Sequence, residues 1–169
     1  YWRLFGPNGQ LVTWRNHTYY DAGPFSAPLD GTYVLAVEGR YYNTGANAYG
    51  FNLRPVVDDT AALTLNTRVD ATIAGPGQVD RYTFTLNSER LLYLDTFTNR
   101  SDIRYYLDGP NGERIGWQYF SNSDLNQDGA AFLARPGDWT LVIYGDGEAN
   151  GAYSFRLLDL GDPAVATAV

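Results

Sequence analysis

Apolar and polar residues alternate along this chain in short runs with a period of two, and turn residues interrupt the runs every 8–15 positions. The cleanest run is Val79 to Leu86, where Tyr82, Phe84 and Leu86 share one face and Arg81, Thr83 and Thr85 the other. Trp2-Arg3-Leu4-Phe5 leads into Gly6-Pro7-Asn8-Gly9, and Gln10 to Trp14 leads out. The Asn-Gly pair tolerates positive φ, so a hairpin is predicted. Tyr33, Leu35 and Val37 alternate with Val34, Ala36 and Glu38, which predicts a strand with one buried face. Tyr49, Phe51 and Leu53 form the next inward set, and Pro55 ends it. Further strands are expected at Leu63-Thr64-Leu65, at Val69 to Ile73, at Leu91 to Phe97 and at Ile103 to Leu107. After a polar loop comes the apolar run Ala131-Phe132-Leu133, and the last inward sets are Trp139, Leu141 and Ile143, then Tyr153, Phe155 and Leu157. No segment shows a 3.6-residue period with caps.

Eight or so short antiparallel strands within about a hundred residues cannot bury their apolar faces as one open sheet. Two packed sheets solve the problem, so the fold class is all-β: an antiparallel β-sandwich with Greek-key or jelly-roll-like connections. Each large inward side chain contributes about 1.5–3 kcal/mol by burial, and a dozen of them offset much of the ordering entropy of such a domain.

The pattern also repeats. Leu4-Phe5-Gly6-Pro7-Asn8-Gly9 returns as Leu107-Asp108-Gly109-Pro110-Asn111-Gly112, with Trp14 answered by Trp117. Gly31-Thr32-Tyr33-Val34-Leu35-Ala36-Val37 returns as Gly137-Asp138-Trp139-Thr140-Leu141-Val142-Ile143, and Tyr49-Gly50-Phe51 as Tyr153-Ser154-Phe155. A period of this length is domain-sized. Residues 1–55 correspond only to the second half of the unit, and residues 63–160 make a complete one. Residues 56–62 are expected to be a linker, and 161–169 a linker into a following repeat. The half-repeat should show water an apolar face and unpaired strand edges, to be covered by a neighbouring repeat of the same or another chain.

Composition narrows the chemistry. There is no cysteine and no methionine among the 169 residues, and all twelve basic residues are arginine. Disulfides, thiolate metal sites, cysteine nucleophiles and lysine Schiff bases are thereby excluded. A net charge of −7 argues against nucleic acid, which needs a basic face. No apolar run is long enough for a membrane span.

Taken together, Gly77-Gln78-Val79-Asp80-Arg81-Tyr82-Thr83-Phe84, Leu107 to Gly112, Arg135 to Ile143 and Tyr153-Ser154-Phe155 resemble the bacterial pre-peptidase C-terminal domain family. That resemblance implies small jelly-roll-like sandwiches without catalytic residues, appended to secreted peptidases or repeated in large surface proteins.

Three constellations invite a chemical reading. Asp124-Leu125-Asn126-Gln127-Asp128-Gly129 has the spacing of a calcium loop, with Asp124, Asn126 and Asp128 as oxygen ligands. The twelfth position is Arg135 where a bidentate glutamate is needed, so an Asn/Asp-rich turn loop is the competing account. Trp14 and Trp117 follow the two hairpins and could stack on sugar rings. Equally, each could close one end of the core with its N–H on a carbonyl, which the need of both copies for a core favours. His17, the only histidine, lies near Asp21 without a nucleophile in view, and Asp58-Asp59 reads as a solvated hinge. The sequence therefore points to a non-catalytic extracellular repeat of a large bacterial surface or secreted protein, with a structural, spacing or adhesive role and a capacity for fibres or arrays. The alternative is a carbohydrate-binding module.

Overall fold

Alternating sequence becomes strand where a neighbouring strand lies alongside to take its backbone hydrogen bonds. The computed structural model describes residues 1–17, 22–122 and 131–161. Two units are distinguished, Tyr1–Pro55 and Val56–Val169.

The second unit is a β-sandwich. Strands β4 (Asp59–Ala62), β6 (Val79–Leu86), β11 (Gly137–Gly145), β8 (Ile103–Asp108) and β9 (Arg114–Tyr119) lie side by side in that order in one sheet. Strands β10 (Ala131–Ala134), β7 (Arg90–Thr96), β12 (Gly151–Asp159) and β5 (Arg68–Ile73) form the other. The period-two reading holds for most of the inward positions, although Val142 of β11 and Ser154 of β12, on the other phase, are buried as well. Tyr82, Phe84, Leu86, Trp139, Leu141 and Ile143 of the first sheet are buried, as are Leu92, Leu94, Tyr153, Phe155 and Leu157 of the second. Aromatic rings lock the sheets face to face, with Tyr82 edge-on to Phe155 at 5.1 Å and Phe132 tilted against Trp139 at 6.3 Å.

Two expectations fail at the start of this unit: Leu63-Thr64-Leu65, expected as a strand, forms none, and the strand lies just ahead of it. Residues 59–62, read as part of a linker, form β4 and pair parallel with β6, Asp59 opposite Asp80 and Ala62 opposite Thr83. Asp58 and Asp59 are accordingly not a hinge. Asp58 takes the Val79 amide at 3.1 Å and the Arg81 guanidinium at 2.6 Å, and Asp59 accepts from the Gln78 side chain at 3.0 Å. Polar side chains without apolar alternation can still form a strand when the partner backbone supplies the hydrogen bonds, which is why periodicity missed it. Asn66, at φ 64°, then turns the chain into β5 of the opposite sheet.

The described residues of the first unit form one three-stranded sheet, in the order β2 (Leu11–Arg15), β1 (Trp2–Phe5), β3 (Val34–Val37). It reproduces the β9-β8-β11 portion of the second unit. In both hairpins the glycine ending the turn donates to the glycine beginning it, Gly9 to Gly6 at 2.9 Å and Gly112 to Gly109 at 3.1 Å. Only that last glycine takes positive φ, 72° and 78°, so the asparagine of the Asn-Gly pair does not share the role expected for it. The proline of each turn packs on a glycine, Gly31 just ahead of β3 in the first unit and Gly137 at the start of β11 in the second. A Cβ on Gly31 would meet Pro7 at 2.8 Å, and one on Gly137 would meet Pro110 at 2.6 Å. The two landmarks recur together in the sequence because they touch in the fold.

Tyr49, Phe51 and Leu53 depart from expectation. They form no strand and are 64, 67 and 66% exposed, whereas Tyr153, Phe155 and Leu157 in β12 are buried. The reason is a missing partner. β12 lies between β5 and β7, and the described residues of the first unit contain no equivalent of either.

Candidate functional site

The outer face of β8, β9 and β11 carries a cluster of rings and charges. Alternation sends Arg104, Tyr106 and Asp108 of β8 outward while Ile103, Tyr105 and Leu107 fill the core. Tyr144 from β11 meets Tyr106 edge-on at 6.0 Å. Arg114 of β9 lies over the Tyr106 ring at 3.8 Å and grips Asp108 with two nitrogens at 2.7 and 3.0 Å. Arg104 sits between two rings, 4.1 Å from the Tyr119 centroid and 5.7 Å from that of Trp117. It also hydrogen-bonds the Tyr119 hydroxyl and pairs with Asp146 at 3.0 Å.

Trp117 owes its position to a β-bulge. Tyr106 pairs with Gly116 and Tyr105 with Gln118, leaving Trp117 as the extra residue at φ 77°. A bulge of this kind re-aims a side chain, and a bulky residue at positive φ is held there by its surroundings. Here the indole N–H donates to the Tyr144 hydroxyl at 2.6 Å, while the side chain remains 62% exposed. The face thus offers a fixed ring edged by tyrosine hydroxyls, two guanidinium groups and two carboxylates.

The core-closing role favoured for Trp117 belongs instead to Trp139, whose N–H donates to the Arg135 carbonyl at 2.9 Å inside the sandwich. Trp14 is also exposed, yet its surroundings differ. It pairs in register with Arg3, without a bulge at that point, and Arg3 bonds Glu38 at 2.5 Å where the second unit has Tyr106 and Tyr144. The two tryptophans match in sequence position but not in geometry.

Asp124, Asn126 and Asp128 lie outside the described residues, as does Asp21 beside His17. Among the described residues no group of three or more histidine, aspartate or glutamate side chains is placed to hold a metal ion. Also among them, no helix is long and apolar enough to cross a membrane.

Sequence reasoning missed a second polar feature, inside the sandwich. Tyr153 donates to the Asp80 carboxyl at 2.5 Å, and the Gln78 amide donates to the other Asp80 oxygen at 2.8 Å. The Tyr82 hydroxyl lies 2.7 Å from that of Tyr153. Because Tyr153 gives its one proton to Asp80, Tyr82 is the donor between them. Burial, reinforced by the bond to Asp80, pushes the Tyr153 hydroxyl far above the ordinary tyrosine range, and burial raises Tyr82 as well. Asp80 at an inward position of the best-patterned strand was the available signal. The whole network is buried, which marks it as part of the scaffold rather than an open site.

No protein-family model and no curated protein matches the chain. Among solved structures, the chain is similar to the pre-peptidase C-terminal domain of collagenase from Bacillus anthracis, at 19% identity and a TM-score of 0.45 over 63% of this chain and 99% of that one. It is also similar to the PliG periplasmic inhibitors of g-type lysozyme. The Salmonella Typhimurium protein gives 14% identity and a TM-score of 0.48 over 60% of this chain and 98% of that one. The Aeromonas hydrophila protein gives 9% and 0.44 over 60% and 96%. At these identities the likeness is one of fold alone.

Proposed function

We propose that this chain is a non-catalytic extracellular module of a large bacterial surface or secreted protein, with a structural, spacing or adhesive role. The observation that carries the reading is the repeated proline-on-glycine hairpin module. Two units build the same three strands from the same landmarks, while the outward side chains differ, Tyr106 and Tyr144 in one and Arg3 and Glu38 in the other. What recurs is scaffold, and what varies is surface. The chain is expected to give no turnover on a broad panel of peptide, ester and glycoside substrates. Turnover that disappears when one polar residue is replaced would overturn the reading.

A second reading, carbohydrate binding, is favoured by the cluster around Trp117. Its exposed ring is braced by Tyr144 and flanked by Arg104, Tyr119 and Asp146, which suits stacking on a sugar ring with hydroxyls bonded at the rim. On this reading Trp117→Ala lowers glycan affinity about tenfold or more, as loss of a central aromatic anchor does. Trp14→Ala, which removes a ring without that brace, changes affinity little. Equal losses from both substitutions, or from neither on an array that wild type binds, count against it.

A further inference from the structure

The second unit shows what lies against each surface that the first unit leaves open. Strand β11 has two neighbours, β8 and β6; its counterpart β3 has one, β1, and so ends the sheet. The contact of Gly31 with Pro7, matching that of Gly137 with Pro110, sets the correspondence. Tyr33, Leu35 and Val37 then stand for Trp139, Leu141 and Ile143, whose partners across the strand boundary are Phe84, Tyr82 and Asp80. On the inner face of this small sheet, Leu35, Val37, Trp2, Phe25, Phe51 and Leu53 help line a cleft of about 170 Å³. The counterparts of Tyr49, Phe51 and Leu53 are held in β12 by β5 and β7, with Tyr153 opposite Ala71, Phe155 opposite Val69 and Leu157 opposite Leu94.

We propose that the open edge of β3 and this cleft receive an unengaged first-half segment of the same repeat type, a polypeptide with the strand pattern of β5, β6 and β7. Its β6-like strand pairs antiparallel with β3, an aromatic residue opposite Tyr33 and another opposite Leu35. Its β5-like and β7-like strands close on residues 49–53 from either side and draw them into a strand. Main-chain bonds along β3 give affinity, and the alternating side chains that enter the cleft give specificity. This inference rests on the module reading and names its partner.

A second copy of this chain is a poor donor. Each chain carries one set of β5, β6 and β7, and that set already completes its own sandwich. Withdrawing it would open one sandwich to close another, with no gain in buried apolar area. Pairing of two β3 edges would leave residues 49–53 exposed.

The test uses the whole chain and a synthetic peptide of its residues 56–97, followed by amide hydrogen exchange. The peptide is expected to bind one to one. It should slow exchange at Val34–Val37 and at residues 49–53 about tenfold or more, as local opening becomes global. Amides of Leu141 and Phe155 serve as an internal reference and stay protected throughout. A peptide carrying Tyr82→Asp and Phe84→Asp, and a chain carrying Leu35→Asp, should each abolish the effect. Should the peptide aggregate, the same segment joined ahead of Tyr1 by a flexible glycine-serine linker provides the same readout. No added protection with the reference amides intact overturns the inference while the module reading stands. Equal protection by the substituted peptide overturns it too. Protection that grows with chain concentration, without peptide, assigns the face to a second copy and overturns it as well. Loss of protection at the reference amides themselves removes the module reading, and this inference with it.

Discussion

Trp139→Ala is expected to cost the second unit about 3–5 kcal/mol, the range for truncating a buried large aromatic. Trp139 is 1% exposed. Its ring stacks at 6.5 Å from Phe84 of its own sheet and lies 6.3 Å from Phe132 of the opposite one, so it bridges the layers. Removing it leaves a cavity and strands the Arg135 carbonyl that its N–H satisfies. A loss of this size is a large part of the ~5–15 kcal/mol that holds a typical domain folded. Urea unfolding followed by far-ultraviolet circular dichroism measures it without relying on indole fluorescence. A cost below about 1 kcal/mol would mean that Trp139 is not a keystone of the core. Trp117→Ala, on the outer face, should stay within about 0.5 kcal/mol of wild type, as surface changes do. The two tryptophans thus separate a core role from a surface one.

The second unit should lose stability steeply in alkali, and Tyr153→Phe should weaken that dependence. Tyr153 and Tyr82 have folded pKa values above the ordinary tyrosine value, both chiefly through burial, with the bond to Asp80 adding to it at Tyr153. An unfolded tyrosine gives up its proton near pH ~10, whereas these two keep theirs in the fold. The stability that they contribute is complete below that pH and is lost as pH rises above it. Each group that stays protonated costs about 1.4 kcal/mol per pH unit there. The absence of lysine from the chain removes the other side chain that titrates in this range, which makes the slope readable. At neutral pH Tyr153→Phe should cost about 1–3 kcal/mol, because Asp80 loses a buried donor. Unfolding curves at pH 8, 10 and 11 check both parts. Equal slopes for wild type and Tyr153→Phe would show that the network does not govern alkaline stability.

Much of the sandwich could be read from the order of residues. Tyr82, Phe84 and Leu86 on one face of β6, and Leu141 and Ile143 on one face of β11, follow from a two-residue pleat with one side against a core. The turns at Gly6 to Gly9 and Gly109 to Gly112 were equally visible, since a close turn needs a glycine where φ is positive. Such features depend on neighbours a few residues away. Other features depend on residues far along the chain, and only the tertiary structure decided them. Asp59–Ala62 became a strand because β6 lay open beside it, and Tyr49 to Leu53 failed to become one because nothing did. Trp117 and Trp139 are the same residue type, each within a strand of the same sheet. A bulge turned the first outward onto Tyr144, and the pleat of β11 turned the second inward between the sheets. Local sequence determined which segments were suited to be strands and where they turned; the supply of partners, set by long-range packing, determined which segments were completed and which side chains were left to face solvent.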